Sequence, residues 1–293
     1  MFAMPGFERI APSEDIAERG QVMVGRFANG ELHAQLDREV RGRRCLLVGS
    51  VTPPDSRLVE LLLSADTLAR QGAAAVEAIL PYLAYARQDR LKPRGSLSAA
   101  WIGSQLRAAG VGRVVTVDIH SEEARALLAV PAQSLSPAAL LAESLGSGAA
   151  DDAVVVAPDR GALERSTALA EALGVSAPVA WLEKERDAQG VRHVGLRGEL
   201  RPRAIVVDDI LDTGGTLVSC CVALVRHGVR EITVAVTHGL FTGDAWRELF
   251  DHGVGVLHTT DSVPEAVEHV SERIKVHTVR PLLEAAPAKE TRK

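Results

Sequence analysis

The stretch Val206-Val207-Asp208-Asp209-Ile210-Leu211-Asp212-Thr213-Gly214-Gly215-Thr216-Leu217 decides how this chain is read. The apolar run AIVV (204–207) enters it as a strand, and TLVSCCVALVRHG (216–228) leaves it as a helix. Paired glycines at a strand-to-helix turn let successive backbone N–H groups converge on an anion, and the helix N-terminus adds partial positive charge. Thr213 and Thr216 add hydroxyl donors, so Asp212, Thr213, Gly214, Gly215 and Thr216 read as a phosphate cradle. Asp208 and Asp209, just upstream, suit vicinal hydroxyls or a phosphate-bound divalent cation. A sugar phosphate offers both ends. An acidic turn with Thr213 as a helix cap is the plainer alternative, but it leaves the carboxylates and the second glycine unexplained. The loop is not a Walker A element, because GxxxxGK[ST] occurs nowhere in the chain.

On either side, short apolar runs alternate with helical periodicity. CLLVGSV (45–51), VEAILPYL (76–83) and RVVTVDIH (113–120) read as strands, separated by helices over 58–72 and 98–110. The rhythm recurs with strands at 153–159, 203–210, 231–239 and 253–261 and helices at 161–174 and 216–228. Strand–helix alternation of this kind predicts parallel sheets covered by helices. A length of 293 residues suits two domains. The Ser-, Ala- and Gly-rich segment 134–152 is the expected boundary, giving domains over 1–140 and 141–285 and a frayed tail over 286–293.

Composition narrows the function classes. Lys and Arg number 33 against 38 Asp and Glu, a net charge of −5, and aromatics are only 3%. That balance argues against nucleic-acid binding and against an anionic membrane surface, and no apolar run is long enough to span a bilayer. The first residues turn acidic before an apolar signal core forms, so no targeting segment is read and a cytoplasmic location is expected. Cys45, Cys220 and Cys221 have no metal-site spacing and read as buried free thiols.

Four more elements carry chemistry. Phe27-Ala28-Asn29-Gly30-Glu31 is, on its own, a turn. Tyr85-Ala86-Arg87-Gln88-Asp89-Arg90, with Lys92 and Arg94 following, concentrates cations in an acidic chain, and arginine suits polyphosphate oxygens. Asp118-Ile119-His120 ends a strand, where residues two apart point the same way and a carboxylate and an imidazole converge. Lys184-Glu185-Arg186 opens a polar segment that reads as an irregular, mobile lid.

Taken together, these motifs resemble the ribose-phosphate diphosphokinase family, over about Phe27 to Leu283. The resemblance implies two tandem phosphoribosyltransferase-like α/β domains, each a mainly parallel sheet flanked by helices. It implies ATP and ribose 5-phosphate as substrates, Mg²⁺ as cofactor and assembly as a homo-oligomer. By resemblance, Phe27, Asn29, Gly30, Glu31, Arg87 and Gln88 contact ATP. His120, Asp118 and Asp159 attend the metal, and Lys184, Arg186 and His120 are catalytic. Ribose 5-phosphate would place its phosphate on Asp212–Thr216 and its hydroxyls on Asp208 and Asp209. The segment Thr237–Gly243 (THGLFTG) matches the family's THGxxSG.

Departures bear on rate and regulation. Asn29 stands for the usual acid and Glu185 for an arginine. The loop after Arg94 reads GSLS where the family tends to have EPIT or EPIS. Glu123 replaces a glutamine that helps hold regulatory phosphate. These changes imply weak phosphate activation, with Arg41 pairing with Glu123. A second reading, a nucleotide-binding relative that regulates an active partner, is separated from an active enzyme by Lys184, Arg186 and His120, all retained here.

Overall fold

A computed structural model describes residues 1–146, 148–149, 151–187 and 190–286, with only the backbone described over 184–187 and 190–194. The chain forms two compact units, one of Met1–Leu135 joined by the residues from Val279 onward, the other of Ser136–Thr278.

The first unit contains β1 (Phe2–Ala3), β2 (Val22–Arg26), β3 (Leu32–Leu36), β4 (Arg44–Val48), α1 (Ser56–Arg70), β5 (Ala75–Ile79), α2 (Ser98–Ala108), β6 (Val111–Val117), α3 (Glu122–Leu127) and β7 (Ala132–Leu135). Its main sheet runs β1-β4-β5-β6-β7, and every pairing is parallel. Parallel strands covered on both faces are apolar without alternation, as in the buried runs Val114–Val117 and Ala78–Ile79. On α1, Leu58, Leu61, Ala65 and Leu68 share the helical spacing that buries one face. A separate antiparallel hairpin, β2–β3, lifts Phe27–Glu31 out as its turn.

The second unit contains α4 (Ala138–Leu145), β8 (Ala153–Ala157), α5 (Leu163–Ala172), β9 (Ala180–Asp187), β10 (Gly190–Arg197), β11 (Arg203–Leu211), α6 (Gly215–Arg226), β12 (Glu231–Gly239), β13 (Val254–Thr260) and β14 (Ile274–His277). Its sheet runs β10-β9-β8-β11-β12-β13-β14, parallel except for the β9–β10 pair. Side chains alternate between two cores. Val154, Val156 and Val206 face Leu217, Cys220, Cys221 and Leu224 of α6. Val155, Ile205 and Val207 face Leu141 of α4 and Leu169 of α5. The two-residue strand period thus sorts neighbours onto opposite helical layers.

The last helix, α7 (Arg280–Ala285), belongs to the first unit, where Glu284 Oε1 accepts the Ser13 N–H at 3.0 Å. The units divide between Leu135 and Ser136, inside the segment 134–152, and α4 within that segment buries Leu141 in the second unit's core. Two expectations change. The segment that reads as an irregular lid is an antiparallel hairpin, with Lys184 opposite His193 and Arg186 opposite Val191. The strand expected over 113–120 stops at Val117. All three cysteines are buried free thiols, and among the described residues no helix is long and apolar enough to cross a membrane.

Candidate active site

Strand β11 is flanked on both sides by parallel neighbours, so the loop at its carboxyl end opens at the edge where parallel sheets place their ligands. Gly214 is the N-cap of α6, in the left-handed region at φ 89°. A Cβ there would stand 2.6 Å from Trp246 Cα, so both backbone geometry and packing require glycine. Gly215 differs, since a Cβ there meets nothing within 4 Å and borders open space. No side chain caps α6, which leaves its first-turn N–H groups for an anion. Thr213 is exposed, and Asp212 and Thr216 are half-buried around the same turn.

The loop is braced from one side. Leu211 C=O accepts the N–H groups of Leu240 (2.8 Å) and Phe241 (3.2 Å), and Asp212 C=O accepts that of Thr242 (3.2 Å). Phe241 packs edge-on against Trp246 at 4.9 Å, and the Trp246 indole N–H donates to Gly243 C=O at 2.8 Å. The THGLFTG segment is therefore a wall of the glycine turn.

Behind the loop lies an acidic cluster with one guanidinium. The Asp209 N–H donates to Asp208 Oδ1 at 3.0 Å, and Arg165 Nη1 lies 3.5 Å from Asp209 Oδ2. Asp209 is buried. Burial pushes the Asp208 carboxyl well above the ordinary carboxylate range, Asp209 and Asp159 add repulsion, and Arg165 opposes them. Asp159, after β8, accepts the Gly161 N–H at 2.8 Å and opens a short 3-10 turn, Arg160–Ala162. Arg165 was not singled out from the sequence. Its signal is its place on α5 between Ala162 and Leu169, on the apolar face, where a charge needs a partner.

In the first unit, the Phe27–Glu31 turn is closed by Phe27 N–H to Glu31 C=O (2.9 Å) and Gly30 N–H to Phe27 C=O (2.8 Å). Asn29 Oδ1 accepts the Glu31 N–H at 3.1 Å, so the asparagine shapes the turn. Phe27 is 57% exposed beside His33, with ring centroids 4.8 Å apart. On the basic loop, Tyr85 donates to Asp55 Oδ1 at 2.6 Å, and exposed Gln88 is held by Ser96 and by Ser98 (2.8 Å). Arg87 and Arg90 are exposed.

Asp118 has φ 44°, so the strand alternation expected to align it with His120 does not apply. Its N–H donates to Leu135 C=O at 2.9 Å, and Ser121 then caps α3. The Arg41–Glu123 pair is also not formed. Arg41 lies 3.8 Å from Glu39, and Glu123 lies 3.5 Å from Arg90 Nη2. The reason is topological: Arg41 precedes β4 at the amino end of a parallel sheet, whereas Glu123 follows β6 at the carboxyl end. The side chains of Lys184 and Arg186 lie outside the described residues. Among the described residues, no group of three or more His, Cys, Asp or Glu is arranged to hold a metal.

Comparison with known proteins bears on all of these elements. Residues 8–110 match the family described as the N-terminal domain of ribose phosphate pyrophosphokinase, and residues 123–270 match the phosphoribosyl transferase domain. The chain is 36% identical over 268 residues to the ribose-phosphate pyrophosphokinase of Caldanaerobacter subterraneus subsp. tengcongensis, covering 90% of this chain and 84% of that protein. It is 32% identical over 271 residues to the Bacillus subtilis protein of the same name, covering 91% and 85%. A crystal structure of phosphoribosylpyrophosphate synthetase from Mycobacterium smegmatis superposes with a TM-score of 0.84 at 30% identity, covering 97% of this chain and 96% of that one.

Proposed function

We infer how the residues divide the work from the premise that the chain belongs to the ribose-phosphate pyrophosphokinase family. It is a diphosphotransferase that makes phosphoribosyl pyrophosphate and AMP from ATP and ribose 5-phosphate. The observation that carries the residue assignment is the uncapped N-terminus of α6 behind Gly214, with Asp208 and Asp209 on the strand that leads into it. The N–H groups of the first turn, with Thr213 and Thr216, take the 5-phosphate. Asp208 and Asp209 accept hydrogen bonds from the ribose hydroxyls. Arg165 holds Asp209 in place for that task.

The reaction asks for alignment and charge neutralisation rather than covalent participation by protein. The anomeric hydroxyl attacks the β-phosphorus, the bond to the α-phosphate oxygen breaks, and AMP leaves. The Asn29–Glu31 turn, Phe27, Arg87 and Gln88 bind the nucleotide. Lys184 and Arg186, on β9, neutralise charge on the transferring group.

Mg²⁺ fits the donors present. Asp159 in the second unit would offer a hard carboxylate oxygen, and Asp118 and His120 in the first, assigned to the metal by the family resemblance, would offer an oxygen and a nitrogen. Mg²⁺ is ordinarily held by one or two carboxylates plus substrate phosphates. When bound, it neutralises phosphate charge.

The deciding experiment is AMP formation from ATP with and without ribose 5-phosphate. Dependence of AMP on the sugar phosphate, with matching phosphoribosyl pyrophosphate, is expected. Nucleotide binding without AMP release under any condition would make the chain a non-catalytic relative.

A further inference from the structure

The first turn of α2 and the basic loop are joined at one residue. Leu97 is the N-cap of α2 and has no side chain able to cap. The helix amide at Ala99 is taken instead by the Gln88 carbonyl at 3.2 Å. The side chain of Gln88 turns to the same place. Its Oε1 accepts from Ser96 Oγ and from Ser98 Oγ (2.8 Å), and the two hydroxyls are 3.1 Å apart. An amide oxygen has two lone pairs, and both are used. Among the described residues, the Gln88 amide nitrogen meets no protein acceptor, and the residue is exposed.

We propose that Ser96 and Ser98 are positioning residues that hold one end of the Gln88 side-chain amide at the start of α2, so that its other end is set for the nucleotide. The inference rests on Gln88 as a nucleotide contact. A free glutamine side chain samples several rotamers. With the amide held on two hydroxyls at a helix start, one rotamer is selected before the ligand arrives, which lowers the ordering cost of binding. The serines act through Gln88, so the effect belongs to ATP affinity rather than to turnover.

The test is steady-state kinetics of the full chain with ATP and ribose 5-phosphate. The Ser96→Ala/Ser98→Ala variant is expected to raise KM for ATP about fivefold, the cost of one net hydrogen bond. Its kcat and its KM for ribose 5-phosphate should stay within about twofold. Ser96→Thr/Ser98→Thr keeps both hydroxyls and should restore KM.

An unchanged KM in the double-alanine variant beside a raised KM in Gln88→Ala overturns the positioning role alone. An unchanged KM in Gln88→Ala overturns the nucleotide reading of Gln88. Parallel losses in kcat and in both KM values, not restored by threonine, would assign the serines to loop folding and overturn the proposal. Should the double variant fold poorly, Ser96→Ala alone provides the same comparison at an exposed position.

Discussion

The backbone N–H of Asp209 donates to the Asp208 carboxylate at 3.0 Å, which sets two consecutive acids side by side, with the Arg165 guanidinium 3.5 Å from Asp209. Adjacent carboxylates repel, which disfavours ionising both. Asp208, whose titration is shifted upward, is therefore costly when ionised, and Asp209 is the member paired with Arg165. Asp208→Asn is expected to leave the urea midpoint unchanged or higher, while KM for ribose 5-phosphate rises. Asp209→Asn removes the charge that Arg165 faces and should lower stability, by up to about 3 kcal/mol. Equal stability losses in the two variants would contradict this asymmetry.

The two loop glycines should respond differently to the same methyl group. Gly214→Ala places a Cβ 2.6 Å from Trp246 Cα in a left-handed backbone and should destabilise by about 3 kcal/mol or more. Gly215→Ala meets only open space, so stability should hold within about 0.5 kcal/mol. The added methyl there occupies the cradle, and KM for ribose 5-phosphate should rise far more than KM for ATP. Thermal melts beside initial rates separate the two effects.

On the β13–β14 pair, His258 Nδ1 lies 3.0 Å from His277 Nε2, with the rings stacked. Burial, then the charges of His277 and Lys275, pushes His258 down from the ordinary 6.5 to about 4, and burial also lowers His277 against the opposing pull of Asp261. The unfolded chain thus takes up protons first. Stability is full above about pH 6.5 and is lost as pH falls towards 4, by about 3 kcal/mol for His258 alone. Urea midpoints between pH 4 and 7 should fall accordingly, and His258→Gln should flatten that slope. A slope that the substitution leaves intact would place the acid sensitivity elsewhere.

Glu123 faces Arg90 at 3.5 Å, and both are exposed, so the pair itself is worth little to stability. Its negative charge still opposes an incoming phosphate. Initial rates at fixed free Mg²⁺ should respond weakly to inorganic phosphate, and Glu123→Gln should respond more. Steep activation of the unmodified chain at millimolar phosphate would show the expectation wrong.

The sequence exposes the second unit's site well because one strand-turn-helix stretch holds nearly all of it. Asp208 to Thr216 are consecutive in chain and in space, and β12 falls on its expected residues. What it hides depends on partners far away in the chain. Arg165 is more than forty residues from Asp209, and Trp246 is thirty-two from Gly214. The strand expected through Asp118 ends early for a local reason: periodicity extends a strand through a residue whose backbone has already turned left-handed. The Arg41–Glu123 pair failed for a topological one, since charge complementarity says nothing about which end of a sheet a residue occupies. The β9–β10 hairpin reads as loop because its polar residues lack the alternation of a half-buried strand.

The contact between Gly214 and Trp246 also gives the molecule an optical gauge. Of the three tryptophans, Trp246 is 1% exposed, Trp181 is half-buried and Trp101 is 47% exposed, so the indoles report from different surroundings. Any ligand that shifts the glycine turn presses on the backbone of a buried fluorophore, already ringed by Phe241, Phe250 and His269. Emission from Trp246, in a Trp101→Phe/Trp181→Phe background, follows occupancy of the turn in real time, without nucleotide and without turnover.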